Sequence, residues 1–477
     1  MAAAFDCDVL VVGGGPTGVT LALTAARYGA KVIVCEREAE IYPLPRAAHV
    51  DHEVMRIFQG IGAADEIAAT SRTTSAYEFR NAAGDVLLRF DGSDRIGPGG
   101  WPGANMIHQP SVERALRNRL AAQDRAELRS GWSCTGFMPD ADGVSATFET
   151  AEGPRTVRAR YLVGADGTRS AVRTMAGIDL DDLEFDEPWL VIDALVHDFD
   201  RLPAINLQIC DPARPTTCVL MGEGRHRWEF MLLPGETAEQ VLDDAFIARL
   251  MEPWRVDGAI TLERKAVYRF NARVAQEWRK GRILLAGDAA HQTPPFAGQG
   301  MCAGIRDADN LGWKLAAVCA GQSEPALLDS YQLEREPHVR ATIAMAIMMG
   351  RTVCISDPEA AQQRDEQMLA ARAAGQSPDG ALAYPPIAAG AILAGTPGAG
   401  SYFPQFVADE TRADDLLGDG PWLIEAGDAR LTAFVAELAG WLTAHEAKAV
   451  LVRPDHHVFG TGSAAALRAA WQEVVRD

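Results

Sequence analysis

Gly13, Gly15 and Gly18 form a Gly-x-Gly-x-x-Gly turn, and Glu36 follows eighteen residues after the last of them. The turn lies between an apolar run, Asp8–Val12, and a helical pattern over Val19–Tyr28 that stops at Gly29. Each glycine has a separate task in such a turn. One permits the tight bend, one lets a pyrophosphate approach the backbone, and one lets the helix lie close on the strand. Pro16 and Thr17 fall where the helix begins, and that end offers unpaired N–H groups and a positive dipole end to phosphate. Glu36 closes a second apolar run, Lys31–Cys35, where a carboxylate can hold ribose hydroxyls. The combination reads as a dinucleotide site and leaves NAD(P) and FAD both open.

Two further turns place an aspartate where a strand meets a loop. Leu162-Val163-Gly164-Ala165-Asp166-Gly167 is followed by Ser170 and Arg173, and the run Arg282–Ala286 leads into Gly287-Asp288. Asp288 is placed to accept a hydrogen bond from a polyhydroxyl chain such as ribitol. Either turn alone reads as an ordinary β-turn aspartate. Both together, behind the glycine-rich turn, point to FAD. A second dinucleotide fingerprint is missing, which argues against reductases that carry separate FAD and NAD(P)H folds.

In that order, GGGPTG, GADGTRSAVR and RILLAGDAAHQTPPFAGQGMCAGIRDADNLGWKL resemble the three fingerprints of the FAD-dependent aromatic hydroxylases, the para-hydroxybenzoate hydroxylase-like single-component flavoprotein monooxygenases. The resemblance covers about residues 1–350. PRAAHVDHEVMRIFQGIG, CDPARP, RWEFMLLPGET and LLDSYQLEREPH resemble more narrowly the 3-(3-hydroxyphenyl)propionate hydroxylase branch. Met301-Cys302 departs from the aromatic-Asn or Leu-Asn pair usual after GQG, so no side-chain amide contact to the flavin is carried over there.

The resemblance implies roles for individual residues. Gly13, Gly15, Pro16, Thr17, Gly18, Glu36 and Arg37 would hold the ADP half of FAD. Gly287 and Asp288 would bind its ribityl or pyrophosphate region. Gln109 would reach the flavin chain, and Arg46 would lie near the isoalloxazine. Asp166 would serve both FAD and NAD(P)H. Backbone N–H groups at Gly298, Gly300 and Met301 would stabilise negative charge on the flavin N1/C2 region. Pro294, Pro295 and Phe296 would line the ring face beside the substrate. NAD(P)H would reduce FAD, O2 would give a flavin C4a-hydroperoxide, and its distal oxygen would hydroxylate a phenol ortho to the hydroxyl. A general base would assist the phenol. His49 and Asp51 are the candidates, and histidine suits proton shuttling near neutral pH.

These groups require a Rossmann-type α/β scaffold. The chain divides into a discontinuous FAD-binding domain (1–185 and 265–350) and an inserted, mainly antiparallel substrate sheet (186–264). A linker (351–400) rich in Ala, Gly, Pro and Gln follows, then a small C-terminal α/β domain (401–477) that matches a thioredoxin-like domain of many such hydroxylases. No cysteine follows Cys354, so that domain cannot run dithiol exchange. Residues 40–110 read as loop-rich, with a helix near His52–Gln59. Helices are also predicted at Ser111–Ala121, Gly304–Ala320, Pro325–Met349 and Leu431–His445. In the substrate sheet, Ile205, Leu207, Ile209, Leu220 and Phe230 face either the pocket or the core. Period-two alternation does not say which. Arg225 and His226 read as solvated hairpin residues, with Arg227 left as a carboxylate holder.

The 477 residues carry 45 Lys+Arg against 65 Asp+Glu, a formal charge of −20. That excess disfavours nucleic acid and anionic membrane as partners. Eight cysteines form no CxxC and no zinc-site spacing, so reduced cytosolic thiols and no metal are expected. Asp6 and Asp8 interrupt any signal-peptide core, and no apolar run approaches the ~20 residues that span a bilayer. The expectation is a cytoplasmic enzyme acting on a small aromatic substrate, with a homodimer as a compatible assembly. The alternatives are a hydroxylase of polyketide or antibiotic aromatics, a flavin oxidase or dehydrogenase that never hydroxylates, and a degenerate flavin-binding protein.

Overall fold

The computed structural model describes residues 4–376 and 384–476. Its first unit is β1 (Cys7–Val12), α1 (Pro16–Arg27) and β2 (Val32–Glu36). β1 is buried almost throughout, as a parallel strand covered on both faces must be. The chain continues through β3 (His49–Asp51), α2 (His52–Gly60), β4 (Ala76–Asn81) and β5 (Val86–Asp91). Then come α3 (Gln109–Ala121), β6 (Ala126–Ser130) and β7 (Arg155–Gly164).

After α4 (Ala171–Ala176) the chain enters a long strand, β8 (Leu180–Val196). β9 (Asn206–Cys210), β10 (Thr216–Leu220), β11 (Arg225–Met231) and β12 (Ile260–Ala275) follow. β13 (Ile283–Leu285) returns to the first sheet, and α5 (Gly300–Cys319) and α6 (Ser330–Val353) cover it.

In the first sheet β13, β7, β1, β2 and β6 lie side by side, and each neighbouring pair is parallel. Val12 pairs with Gly164, and Gly164 with Leu285. The three strands that lead into Gly13, Ala165-Asp166 and Gly287-Asp288 are therefore adjacent and end at one edge. Ligands of open α/β sheets bind at that carboxyl edge.

The second sheet runs His291–Gln292, β12, β8, β11, β10, β9, β4, β5. Only β9 and β4 pair in parallel. The sheet therefore extends past the expected 186–264 boundary, taking β4 and β5 from the stretch read as loop-rich. Those two strands are short and interrupted by polar residues, so alternation alone marks them weakly.

The expected linker also holds more structure. Pro358–Ala373 is a helix, α7, with Asp357 capping Ala360 N; residues 377–383 of that linker lie outside the described residues. In the C-terminal module, α8 (Ala413–Leu417), β14 (Trp422–Glu425), α9 (Val435–Ala444), β15 (Ala449–Val452), β16 (Val458–Gly462) and α10 (Ala464–Arg476) follow in order. Its three strands form an all-antiparallel sheet. Among the described residues it lacks the parallel β-α-β pair that a thioredoxin-like domain contains, so the expected resemblance is reduced to a hairpin-and-helix remnant. No single described helix is long and apolar enough to cross a membrane.

Candidate flavin and substrate site

The glycines of the first turn divide their tasks as the spacing implies. Gly13 has φ +112°, and a Cβ there would meet Ala165 O at 2.3 Å. A Cβ on Gly18 would lie 2.0 Å from Gly13 O, so α1 can rest on the turn only with glycine there. Around Gly15 nothing lies within 4 Å of the added Cβ. That space faces the start of α1, which has no side-chain cap, so its first N–H groups remain for an anion. The start of α5 is likewise uncapped by any side chain. Thr17 locks the assembly, because a Cβ on Gly287 or Gly304 would fall 2.8 or 2.4 Å from its Oγ1.

Asp288 has no hydrogen-bond donor among the described residues. Burial pushes its carboxyl above the ordinary value, and the charges of His291 and Arg46 partly oppose this. A carboxylate in that position wants hydroxyl donors, which a ribityl chain has. The open space at Gly15, two uncapped helix starts and an unsatisfied Asp288 fit FAD. Behind Asp288, Asp307 is fully satisfied: it accepts from Gly287 N (3.0 Å), His291 Nε2 (2.6 Å) and Arg335 Nε (2.9 Å). It holds the Gly287-Asp288 turn in place. Nothing in the motif spacing pointed to it, since its partners come from the 287–291 stretch and from Arg335 on a separate helix.

Other expected cofactor residues are engaged with protein atoms. Glu36 accepts from Gly14 N (2.6 Å) and Glu38 N (2.9 Å), while Arg37 is exposed and pairs with Glu38 at 3.2 Å. Gln109 accepts from Arg46 N (3.0 Å) and Ala47 N (2.8 Å), so it clamps the loop that carries Arg46. The Arg46 guanidinium makes no hydrogen bond to a described residue and lies 5.3 Å from the Tyr42 ring centroid. Asp166 turns back to accept from Ser170 Oγ (2.5 Å) and Val172 N (3.1 Å) at the start of α4.

His49 sits beside the loop Pro294–Gly298, with Nδ1 3.3 Å from Gly298 O. Burial lowers its basicity. Gly298 has φ +64°, and a Cβ there would come within 3.1 Å of the His49 ring. The next glycine, Gly300, is open, with Thr293 nearest at 3.9 Å from a Cβ. Cys302 fills space beneath this loop, its Sγ near His49 O and Gly298 O, and Met301 packs on the main core. Asp51 caps α2 and accepts from Arg306 Nη2 at 2.6 Å. Arg306 holds it well below the usual carboxylate range. An aspartate so tied has little basicity to offer. Of the two expected bases, His49 alone keeps a ring nitrogen, Nε2, with no described partner.

Parity decides what the substrate sheet presents. Leu207 and Phe230 belong to a separate apolar core with Trp228, Val241, Ile247 and Met251, under two helical turns, Ala238–Val241 and Asp244–Met251. Ile205 and Ile209 pack on the same cluster. Leu220 pairs with His226 on that face. All five apolar candidates thus lie on the side away from the Phe296 loop. The reason is energetic: each such side chain gains about 1.5–3 kcal/mol by burial, and the helical turns supply that burial.

The opposite face carries polar residues. Val191, Glu229, Thr217 and Gln208 stand in one cross-strand row. Thr217 Oγ1 donates to Gln208 Oε1 (2.7 Å), Gln208 Nε2 to Tyr77 Oη (2.6 Å), and Tyr77 Oη to Phe296 O (3.0 Å). Phe296 packs edge-on against Trp189, Phe185 and Phe270, with Pro294 and Pro295 at its N-terminal side.

On the same face Arg227 is buried. It donates to Asp193 (2.6 Å), Arg46 O (2.7 Å) and Pro45 O (2.7 Å), with Arg264 joining at Asp193 and Pro45 O. The residue left as a carboxylate holder therefore anchors the Arg46 loop. Arg225 pairs with Glu263, and His226 is buried against Cys218 rather than solvated.

The chain matches the FAD binding domain family over residues 6–346. It is 39% identical over 499 aligned residues to a probable NADH-specific resorcinol 4-hydroxylase of Rhodococcus jostii (strain RHA1), covering 96% of this chain and 92% of that one. It is 38% identical to a 3-(3-hydroxy-phenyl)propionate/3-hydroxycinnamic acid hydroxylase of Comamonas testosteroni, over 77% of this chain and 62% of the relative. Among solved structures, aklavinone-11 hydroxylase with FAD and aklavinone superposes with a TM-score of 0.79 at 25% identity over 99% of both chains. Three converging turns, an open anion cradle and these matches lead to one conclusion: the chain belongs to the FAD binding domain family and, within it, to the FAD-dependent aromatic hydroxylases.

Proposed function

We propose that the protein is an NADH-dependent, single-component monooxygenase that hydroxylates a small phenol of the resorcinol or 3-hydroxyphenyl type, ortho to a ring hydroxyl. One observation carries the reading: the sheet face toward the Phe296 loop bears a polar row, in which Gln208, Thr217 and Tyr77 bond to one another and Glu229 beside them has no donor among the described residues. A buried polar row of this kind selects ligands that satisfy it.

Bound FAD supplies the hydride acceptor and the oxygen donor. Gly15 and the α1 start would take the pyrophosphate, Asp288 the ribityl hydroxyls, and the α5 start the negative charge at the ring. The chain's own residues do the rest. Trp189, Phe270 and Phe296 exclude water from the ring face. Asp193 and Arg227 fix the loop that carries Arg46. His49 sits where a proton can be relayed beside Gly298. The charge of −20 supports a reading without nucleic-acid partners. Eight free thiols support a reducing, cytoplasmic setting, and a homodimer is compatible with both.

The test is steady-state NADH oxidation with resorcinol, 3-(3-hydroxyphenyl)propionate and aklavinone as separate arms, under labelled O2. The expected result is stimulation by a one-ring phenol, one labelled product formed per NADH. Stimulation by aklavinone alone would move the substrate to the polyketide class. Oxidation without label in any product would reject oxygen insertion.

A further inference from the structure

Glu229 is the charged residue of the row that faces the Phe296 loop, and no donor among the described residues satisfies it. It projects from β11 with only 6% of its surface exposed, and no described residue gives it a hydrogen bond. The nearest cation, Arg227 Nη1, stays 3.7 Å from Oε1 because its stronger partners are Asp193 and the Arg46 loop. On its other side are Thr217 and, beyond it, Gln208 and Tyr77, already bonded to one another. Buried carboxylates are normally paired, so this one awaits a donor from outside the chain.

We propose that Glu229 accepts the proton of the substrate's phenolic hydroxyl, and so is the base that the hydroxylation of a phenol requires. The inference rests on the phenol reading given above. In the step, the phenol O–H bond breaks, a carboxyl O–H bond forms on Glu229, and the electron pair stays on the phenol oxygen. Delocalisation of that pair raises electron density at the ortho and para carbons, where the electrophilic oxygen is delivered.

The surroundings suit the task. Burial pushes the Glu229 carboxyl up to about 7, Arg227 and Arg264 pull it down, and Asp193 pushes it up again. Tyr77, the remaining titratable group facing it, is itself raised by burial and stays a neutral hydroxyl. A free phenol has a pKa near 10, and a base poised near the working pH is the efficient choice. Asp51, by contrast, is held ionised by Arg306.

The experiment compares the FAD-loaded wild type with Glu229→Gln and His49→Gln, using resorcinol as substrate. In the wild type kcat/KM should rise with pH through a limb near 7. In E229Q that limb should vanish, with a loss on the order of a hundredfold above it, while the visible flavin spectrum stays close to wild type. A ring-fluorinated resorcinol, which ionises more readily, should recover much of the loss in E229Q. A merely structural role would not give that rescue.

Retention of the limb in E229Q, or its loss in H49Q alone, overturns the assignment. If E229Q fails to retain FAD, Glu229→Asp replaces it: a slower enzyme with the limb intact supports the base, and an unchanged rate refutes it. If the wild type hydroxylates no phenol, the reading beneath it falls first, whereas a hydroxylating wild type with an indifferent E229Q sinks this assignment alone.

Discussion

Two buried charge clusters in this protein have opposite characters. Where the C-terminal module meets α5 and α6, Glu334 and Asp455 are saturated, while Asp309 beside them is pushed up to about 8 by burial and by Asp455. Glu334 accepts from Arg453 (2.6 Å), Lys314 (2.7 Å), Asn310 (2.7 Å) and Ala391 N (2.7 Å), and Asp455 takes two bonds from Arg453. These partners hold Glu334 down at about 2. On the substrate sheet, Asp193 takes the arginines and Glu229 is left at about 7 with no donor. The first cluster binds the module to the body of the protein. The second holds a loop and leaves one group over. A carboxylate that the fold satisfies is structural; one that the fold buries and does not satisfy is available for a ligand. Asp288 in the Gly287 turn and Asp307 on α5 behind it repeat the contrast.

The largest expected effect comes from breaking the saturated cluster. Arg453→Met leaves Glu334 and Asp455 buried without their cation, and should cost about 3–5 kcal/mol in chemical denaturation. Survival of the full stability would mean the module docks by its apolar contacts, such as Trp313 on Trp471.

Next in size is a difference in sign. Glu334 sits below its ordinary 4.5 in the folded state, so its contribution is present above pH 4.5 and fades as pH falls toward 2. Glu229 sits above 4.5, so the folded protein keeps the proton between 4.5 and about 7, and a destabilising cost grows as pH rises through that window. Each displacement is worth roughly 3 kcal/mol at most. Glu229→Gln should therefore raise the melting temperature of the apoprotein at pH 8 and leave it unchanged near pH 4, whereas Glu334→Gln should lower it at pH 8. Matching signs for the two variants would undo the comparison.

The aspartates at and behind the Gly287 turn give a smaller effect. Asp288→Asn should weaken FAD binding by about 1.5–3 kcal/mol, since hydrogen bonds to a charged acceptor are lost, with apoprotein melting not lowered, because burial already raises the Asp288 carboxyl. Asp307→Asn should lower apoprotein melting itself. FAD titration followed by flavin fluorescence, paired with thermal melts, separates the two.

Smallest in stability is Gly15→Ala. Gly15 has φ −78°, which alanine adopts without strain, and the added Cβ meets nothing. The apoprotein should gain up to about 1 kcal/mol, yet FAD should bind at least tenfold more weakly because the methyl occupies the cradle. An unaltered FAD affinity would show that the pyrophosphate lies elsewhere.

Much of the cofactor half was legible because its signals are local. A glycine turn between a buried strand and a helix is readable from neighbouring residues, and Asp288 was picked out from a strand-end position that the structure places at the same sheet edge as Gly13. Less of the substrate half could be read. Ile205, Leu207, Ile209, Leu220 and Phe230 were expected at pocket or core, and the face was settled only by two helical turns some thirty residues further on. Arg227 was separated from its neighbours in the hairpin, yet its role as a clamp on Pro45 and Arg46 depends on a loop about 180 residues away. The strands Ala76–Asn81 and Val86–Asp91 and the helix Pro358–Ala373 carry weak periodicity, and tertiary pairing stabilises them.

What the sequence by itself determined is the α/β class, the dinucleotide turn and the family, since glycine sterics, strand hydrophobicity and motif order act over short spans. Only the tertiary structure decided which carboxylates are quenched and which stay unsatisfied. That property belongs to no residue type: it depends on how many donors from distant segments reach each oxygen once water has been removed.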